Sequence, residues 1–514
     1  RDQFIAHVGV DPFRYVTMAS LAMAVFKNTH LPERTLSTAT YEEQEFYRRG
    51  FRGGRTEVFK LLYEFQPGEY ASYADVTSLY PFINRNALYP AGIARCLTPI
   101  ECDKIRMQCA WVGPRGLTTS HETYADEPDM LLLEVDIKCP TDLYIPILAR
   151  KSANGKLVFS LDPIKKEVYW VRELHLALQY GYTITHVYGG YRWPRSTTNL
   201  FRAFMDNLYQ LKETGQRENN AGKTAIAKLL ITSLWGKFNQ RTDKTCSTFV
   251  QRYEDMNAMM LDDRIEITQT HDISSEMLEI VHKPSAQYQS IWKTIEDRKK
   301  HAKPDFTVNP IIGVVTTSNA RAFLWEKALY PLGRKVLYCD TDSVIWVRHE
   351  DEKKDVCIPM KPKKQCRLGD FSDELEGDRI TTWMAAAGKS YFYKTRDGKV
   401  VHKMKGIPLN RGIIGILDEK AMRDVITGEC KEVLLDERTE QTRIVRRRTD
   451  NGPQLVNQPF TKTFKDTMDK RYKVYDSTAP LTIDTMPWGF DGIPAFPSDA
   501  EEDETLSAAV AGTS

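Results

Sequence analysis

At 514 residues the chain is too long for one ordinary hydrophobic core, and with 71 Lys+Arg against 69 Asp+Glu its formal charge of +2 excludes a uniform basic coat. Nine cysteines, an odd number scattered along the sequence, read as reduced thiols in an intracellular setting rather than as a disulfide framework. The spacing of Cys96, Cys102, Cys109 and His121 fits no zinc finger or ribbon, no apolar run approaches the ~20 residues of a membrane span, and no signal peptide is visible.

In chain order, residues 1–68 carry two short apolar segments, 7–15 and 17–26, and then a glycine pair in Phe51-Arg52-Gly53-Gly54. From Glu69 an apolar strand is predicted, with Asp75 near its end, followed by a turn and a proline-started helix at Ser78-Leu79-Tyr80-Pro81. Residues 91–197 alternate as strands, among them 130–137 and 144–148. Two helices, about 199–213 and 219–236, are joined by a polar turn. On the second, Lys228, Thr232 and Trp235 fall at i, i+4 and i+7 and share one face, where an ammonium, a hydroxyl and an indole meet a triphosphate and a base together. Gly236 is expected to end this helix or to admit a close backbone. Ala221-Gly222-Lys223-Thr224 imitates the end of a phosphate-binding loop, but Arg217 stands where the first glycine belongs and no strand precedes it.

Residues 242–305 are polar and weakly periodic. A helix is predicted near 314–330, then a hairpin over 336–346 whose tip holds Asp340 and Asp342. Carboxylate oxygens suit a hard cation, and two such ions about 3.5–4 Å apart activate a hydroxyl and neutralise a leaving pyrophosphate. Basic residues are clustered locally, in Lys361-Pro362-Lys363-Lys364, 446–448 and 462–473, as phosphate-neutralising runs would be. The acidic stretch 499–504 reads as a disordered tail.

Three motifs now stand in a fixed order: Asp75-x-x-Ser78-Leu79-Tyr80-Pro81, Lys228-x-x-x-Thr232-Ser233-x-Trp235-Gly236, and Tyr338-x-Asp340-Thr341-Asp342-Ser343. Together they resemble family B DNA polymerases, and within them the protein-primed branch, closest to those of Polinton/Maverick transposons and related viruses. Trp235, where other members carry tyrosine, and the end Asp469-Lys470-Arg471-Tyr472 with Met486-Pro487-Trp488-Gly489-Phe490 point to that subset. Thr232 departs from the asparagine more usual there.

The resemblance implies an α+β multidomain fold, the right-hand polymerase of palm, fingers and thumb with two insertions. Its parts would be an exonuclease remnant and linker (1–68), palm (69–90 and 306–372), an insertion contacting a terminal protein and duplex (91–197), fingers (198–241), a second insertion (242–305), thumb (373–480) and a tail (481–514). Exonuclease motifs are lacking and the chain opens on Arg1, so a truncated product is expected, with the exonuclease domain mostly missing. The resemblance further assigns two Mg²⁺ ions, with Mn²⁺ able to substitute, to Asp75 and Asp342, assisted by Asp340. Lys228 would hold the incoming dNTP, with Lys212 and Lys223 as weaker candidates for the same anion. Backbone at Val76, Ser78 and Leu79 would face the triphosphate, Tyr80 would lie under the sugar and exclude a 2′-hydroxyl, and Thr232 and Trp235 would line the nascent pair. DNA contacts would come from Phe51, Arg52, Gly53 and Gly54, from Gly236, from Thr317 and Arg321, from Lys389 and Tyr391, and from Lys403 and Lys405. Primer-template DNA, dNTPs and a terminal protein primer are the partners so implied, in a nucleus for a transposon product or at a viral replication site otherwise. The alternative is an inactive mobile-element relic that only binds nucleic acid.

Overall fold

The computed structural model describes residues 2–112, 130–152, 155–241, 245–263, 265–285, 308–436, 441–449, 452–475 and 481–497. His121 and the acidic stretch 499–504 lie outside them.

The chain is organised around a twelve-stranded sheet. Along its main path the order is Thr56–Val58, Val336–Asp340, Ser343–His349, Glu69–Val76, Ile380–Ala387, Lys60–Tyr63, Ile483–Met486 and Tyr472–Tyr475. Successive side chains of a strand point to opposite faces, and here both faces are covered: Val344 and Trp346 join one core while Ile345 and Val347 join another. That double burial is why the hairpin strands read as unbroken apolar runs rather than alternating ones. Helix Pro310–Leu324 lies on the first side and is buried nearly all round. Helix Glu419–Thr427 closes the second with Met422, Val425 and Ile426.

The helix expected at 314–330 begins earlier, at Pro310, and widens into a π-turn over Trp325–Leu329. Proline at the first helical position has no N–H to lose, which favours that start. Helices Arg202–Arg217 and Ala221–Phe238 form the expected antiparallel pair, and the Asn220 side chain accepts from the Lys223 N–H at 3.0 Å as the N-cap of the second. Segment Met18–Val25, with Phe26 behind it, packs on this pair; the Phe26 ring lies 5.1 Å from Phe201 and 5.9 Å from Phe238.

One expectation for 91–197 is corrected. Residues 144–148 form no strand, because their carbonyls are taken by side chains. Tyr144 O accepts from Arg471, Ile145 O from Trp325 Nε1 and Pro146 O from Arg55, so no ladder is needed to satisfy a buried segment. Weakly periodic 242–305 contains a three-stranded sheet of Cys246–Val250, Met277–Pro284 and Ile265–Ser274. Among its described strand residues only Val250 and Ile280 are buried, so no apolar alternation marks it.

Candidate active site

The hairpin of Val336–Asp340 and Ser343–His349 is clasped between Thr56–Val58 on one side and Glu69–Val76 on the other. Register then sets one row of residues across five strands: Thr56, Asp340, Ser343, Asp75 and Ser372. Asp340 and Asp75 are thus on the same face, two strand spacings or roughly 10 Å apart in the backbone, with the small Ser343 between them. Asp342 joins from the tip; its carbonyl accepts the Val76 N–H at 2.7 Å, tying the turn to the end of the Asp75 strand.

The tip is strained. Thr341, a β-branched residue, has φ 63°. Ser78 at the start of helix Leu79–Asn86 has φ 55°, and Lys389 has φ 65°. Each such residue costs about 1–3 kcal/mol unless its surroundings hold it. What holds Thr341 is the Gly53–Gly54 loop. The Thr341 N–H donates to Arg55 O at 2.6 Å, and a Cβ on Gly54 would lie 2.7 Å from Thr341 Cγ2 and Oγ1. A glycine is required there by close approach, whereas Gly53 faces open space.

The three aspartates are electrostatically unequal. Asp340 is engaged: Thr56 Oγ1 donates to its Oδ1 at 2.8 Å, Thr341 Oγ1 lies at 3.1 Å and Lys389 Nζ at 3.4 Å from the same oxygen. Asp75 is pushed up to about 8 by burial first and then by Asp342 and Glu374; Lys363 and Lys228 only partly offset this. Burial and Asp340 push Asp342 up to about 6. Among the described residues, no three His, Cys, Asp or Glu side chains converge closely enough to form a metal-holding group as they stand. Row spacing is the reason, since Asp340 is kept two strands from Asp75. The pair Asp75–Asp342 nevertheless fits a divalent cation: both carboxylates are desolvated beside like charge, a repulsion a dication would relieve.

Across the cleft, Lys228 and Thr232 are exposed and Trp235 half-buried on the one helical face predicted for them. The Tyr80 ring packs 4.6 Å from Trp235. Burial, with Asp342 and Asp340, pushes the Tyr80 hydroxyl up to about 12. Lys212 feels Lys228 as a like charge, and it is held below the usual lysine range by burial first and that neighbour second. Two cations therefore share one space, and of the two Lys228 acts on Asp75. On the far side of the hairpin, Tyr391 is buried 5.0 Å from the Tyr338 ring, and the Lys389 N–H donates to Tyr338 Oη at 3.0 Å. Lys403 and Lys405 are exposed beyond it.

With this geometry in view, residues 2–306 match the family model described as DNA polymerase type B, organellar and viral. The chain belongs to that family. A probable DNA polymerase of Podospora anserina is 23% identical over 504 residues, covering 92% of this chain and 36% of its own length. A DNA polymerase of Kluyveromyces lactis is 28% identical over 258 residues, 46% of this chain and 23% of its own. The chain spans between 17% and 36% of the length of the curated relatives it matches. Among solved structures, phi29 DNA polymerase complexed with primer-template DNA and incoming nucleotides superposes with a TM-score of 0.56 at 19% identity, over 91% of this chain and 69% of that one. The fold is therefore the α+β right-hand polymerase, multidomain as expected.

Within this chain several residues expected at DNA or nucleotide have other occupations. Arg52 is buried, donating to Val168 O at 2.6 Å and pairing with Glu167. Arg321 is 4% exposed, paired with Glu173 at 2.9 Å, and donates to the carbonyls of Arg52 and Gly53 at 2.6 and 2.8 Å. It holds the loop rather than presenting a charge to solvent. Thr317 is fully buried, its hydroxyl donating to Gly313 O. Phe51 is half-buried against the core. Lys223 is tied to Glu218 at 3.0 Å, away from Lys228. Gly236 does not end its helix, which runs to Phe238, and a Cβ added to it would meet no neighbour within 4 Å. Leu79 is buried, so only its backbone remains for the cleft.

Thr56, Glu173 and Glu374 went unnoticed in the sequence, and Lys363 stood there only as part of the basic run 361–364. Glu374 accepts from Lys363 at 3.1 Å and adds charge to both Asp75 and Asp342. Thr56 follows the glycine pair by two residues, a weak signal in itself; Glu173 and Glu374 carry none.

Proposed function

We propose that this chain is the catalytic core of a DNA-directed DNA polymerase that extends a primer by two-metal nucleotidyl transfer from dNTPs. The observation that carries the reading is the register that sets Asp75 beside the hairpin tip, with Asp342 tied to the same strand end, opposite the Lys228–Trp235 face. Bound Mg²⁺, or Mn²⁺ in its place, would neutralise the developing charge on the attacking and leaving oxygens. Asp75 and Asp342 would hold it; Asp340, already engaged by Thr56 and Lys389, steadies the tip and adds charge.

Lys228 and Lys212 meet the triphosphate as point charges. The first-turn amides after Ser78 have no intrahelical partner and serve the same anion. Tyr80, braced by Trp235, occupies the space a 2′-hydroxyl would need. Positioning and charge neutralisation are most of what such a transfer asks of a protein. Duplex DNA as partner is supported by the complexes of phi29 polymerase and by the exposed Lys389, Lys403 and Lys405. Priming by a terminal protein, and service to a mobile element or virus-like genome, extend the same reading on the strength of the motif resemblance.

Primer extension on a singly primed template with Mg²⁺ and dNTPs tests it. Wild type should extend, and Asp342→Asn should lose at least about 1000-fold in rate while still binding primed DNA, a loss in line with removal of a group that acts only in the transition state. Extension by the Asn variant at the wild-type rate would refute the assignment. Binding without extension by either protein would favour the relic reading.

A further inference from the structure

Between the hairpin tip and the thumb base runs a groove of about 690 Å³ whose wall includes Thr56, Lys156, Lys389, Lys405, Lys465 and Lys470. These five lysines come from three distant stretches of chain. One acid also lines it, Asp469, and that residue is paired with Lys156. The groove is thus cationic in a protein whose overall charge is only +2. It begins at the active site, since Thr56 holds Asp340 through its hydroxyl and Lys389 reaches the same carboxylate.

Lys470 differs from its neighbours. Its Nζ donates to Thr56 O at 3.1 Å, and no ion pair to it is found among the described residues. Burial holds it below the usual lysine range, against weak help from Glu57. Its position is not left to chance. The next residue, Arg471, is 1% exposed and bolts the segment to the sheet: its Nε donates to Thr485 Oγ1 at 2.8 Å, its Nη2 to Tyr144 O at 3.1 Å, and its guanidinium lies 4.6 Å from the Phe59 ring centre. On the other side the Trp488 Nε1–H donates to Asp469 O at 2.9 Å. A half-buried ammonium with one neutral acceptor, fixed at the rim of a cationic groove, lacks only an anion to complete its hydrogen bonding.

We propose that Lys470 binds a backbone phosphate of the primer strand beside its 3′ end, joining that strand to Asp340 through Thr56. The inference rests on the polymerase reading above and gives a specific phosphate contact to Lys470, which the sequence had placed only in the basic run 462–473 and the Asp469–Tyr472 segment. Because the contact is to the sugar-phosphate backbone, it is independent of sequence. Lys470→Met should weaken binding to primed DNA roughly 5–20-fold, raise the KM for primer-template and leave the KM for dNTP unchanged. Its log Kd against log salt slope should fall by about one contact, while Lys470→Arg keeps most of both.

The decisive experiment is a cycle measured by fluorescence anisotropy in Ca²⁺, without turnover, on the full chain. Single methylphosphonates are placed at each of the last four primer linkages and bound to wild type and to Lys470→Met. At one linkage the neutral phosphate should weaken wild type but not the variant; strict additivity at all four would overturn the proposal. Thermal melting of the variant accompanies it, and a lowered Tm with an unchanged salt slope would mean that Lys470 only braces Thr56, which also overturns it. Should wild type itself fail to bind primed DNA, the polymerase reading falls first, and the two failures are thereby distinguished.

Discussion

Two charged clusters flank the Gly53–Gly54 loop, and they are built by opposite rules. Behind the loop, Arg321 with Glu173 and Arg52 with Glu167 bring each buried arginine to a carboxylate and to backbone carbonyls. In front of it, Asp75, Asp342 and Glu374 crowd like charges together, and Lys228 and Lys212 crowd the opposite sign across the cleft. The first arrangement neutralises its own charges and defines a shape. The second is incomplete and defines what must be added: cations between the carboxylates, a polyphosphate between the lysines. Internal pairing, and not residue type, separates the charges that build this site from those that meet substrate.

The sharpest way to break that comparison is at Arg321. Arg321→Met leaves Glu173, 2% exposed, without its partner and should cost about 3–5 kcal/mol in denaturant unfolding. The double variant Arg321→Met/Glu173→Met should recover most of the loss, because both charges leave together. A single variant with wild-type stability but weakened DNA binding would instead return Arg321 to the role its motif suggested.

The front cluster makes the contrary prediction for pH. Asp75 has its folded pKa raised, from 3.8 to about 8, and Asp342 likewise to about 6. A group raised on folding stabilises most below its unfolded pKa, and that contribution is lost as pH rises through the folded value. In cation-free protein, stability should therefore decline between pH 5 and 8, with added Mg²⁺ offsetting the decline increasingly toward pH 8. Asp75→Asn should flatten the slope. Melting curves that rise over this interval would contradict the like-charge account.

A third comparison lies within one helix. Lys228 faces Asp75 and Lys212, while Lys223, a little over one turn earlier, is paired with Glu218. Lys228→Met should lower kcat/KM for dNTP by about 100-fold, or about 2.7 kcal/mol of transition-state binding. Lys223→Met should stay within about twofold. Equal losses would mean that helix position, not pairing, decides which lysine meets the triphosphate.

How much of this was legible beforehand follows the same division. Asp75, Asp340 and Asp342 could be found because each sits at a strand end or turn whose apolar flanks announce it, and the Lys228–Trp235 face because helical spacing is periodic. The twelve-stranded sheet was not legible, since its neighbours in space, Thr56–Val58 beside Val336–Asp340, are hundreds of residues apart in sequence. Arg52 and Arg321 were misread as DNA contacts for a related reason. Their partners Glu167 and Glu173 lie 115 and 148 residues away in sequence, and no local pattern says that a basic residue has already been neutralised. Thr317 was misread because a hydroxyl that bonds its own helix, as it does to Gly313 O, is indistinguishable in sequence from one that faces a ligand.

The smallest expected effect is also the most local. Gly53 and Gly54 are adjacent and alike in sequence, yet a Cβ at Gly53 would meet nothing within 4 Å whereas one at Gly54 would press on Thr341 at 2.7 Å. Thr341 is already held at φ 63° and hydrogen-bonds Asp340, so it has little freedom to yield. Gly54→Ala should displace the tip enough to lower extension about tenfold, the scale on which small misplacements act in a positioned reaction, with unfolding free energy altered by only about 1 kcal/mol. Gly53→Ala should leave rate and stability unchanged. Should Gly53→Ala instead be the damaging one, the loop's work would lie in binding template at its open side, and the close approach of Gly54 to the catalytic turn would be incidental.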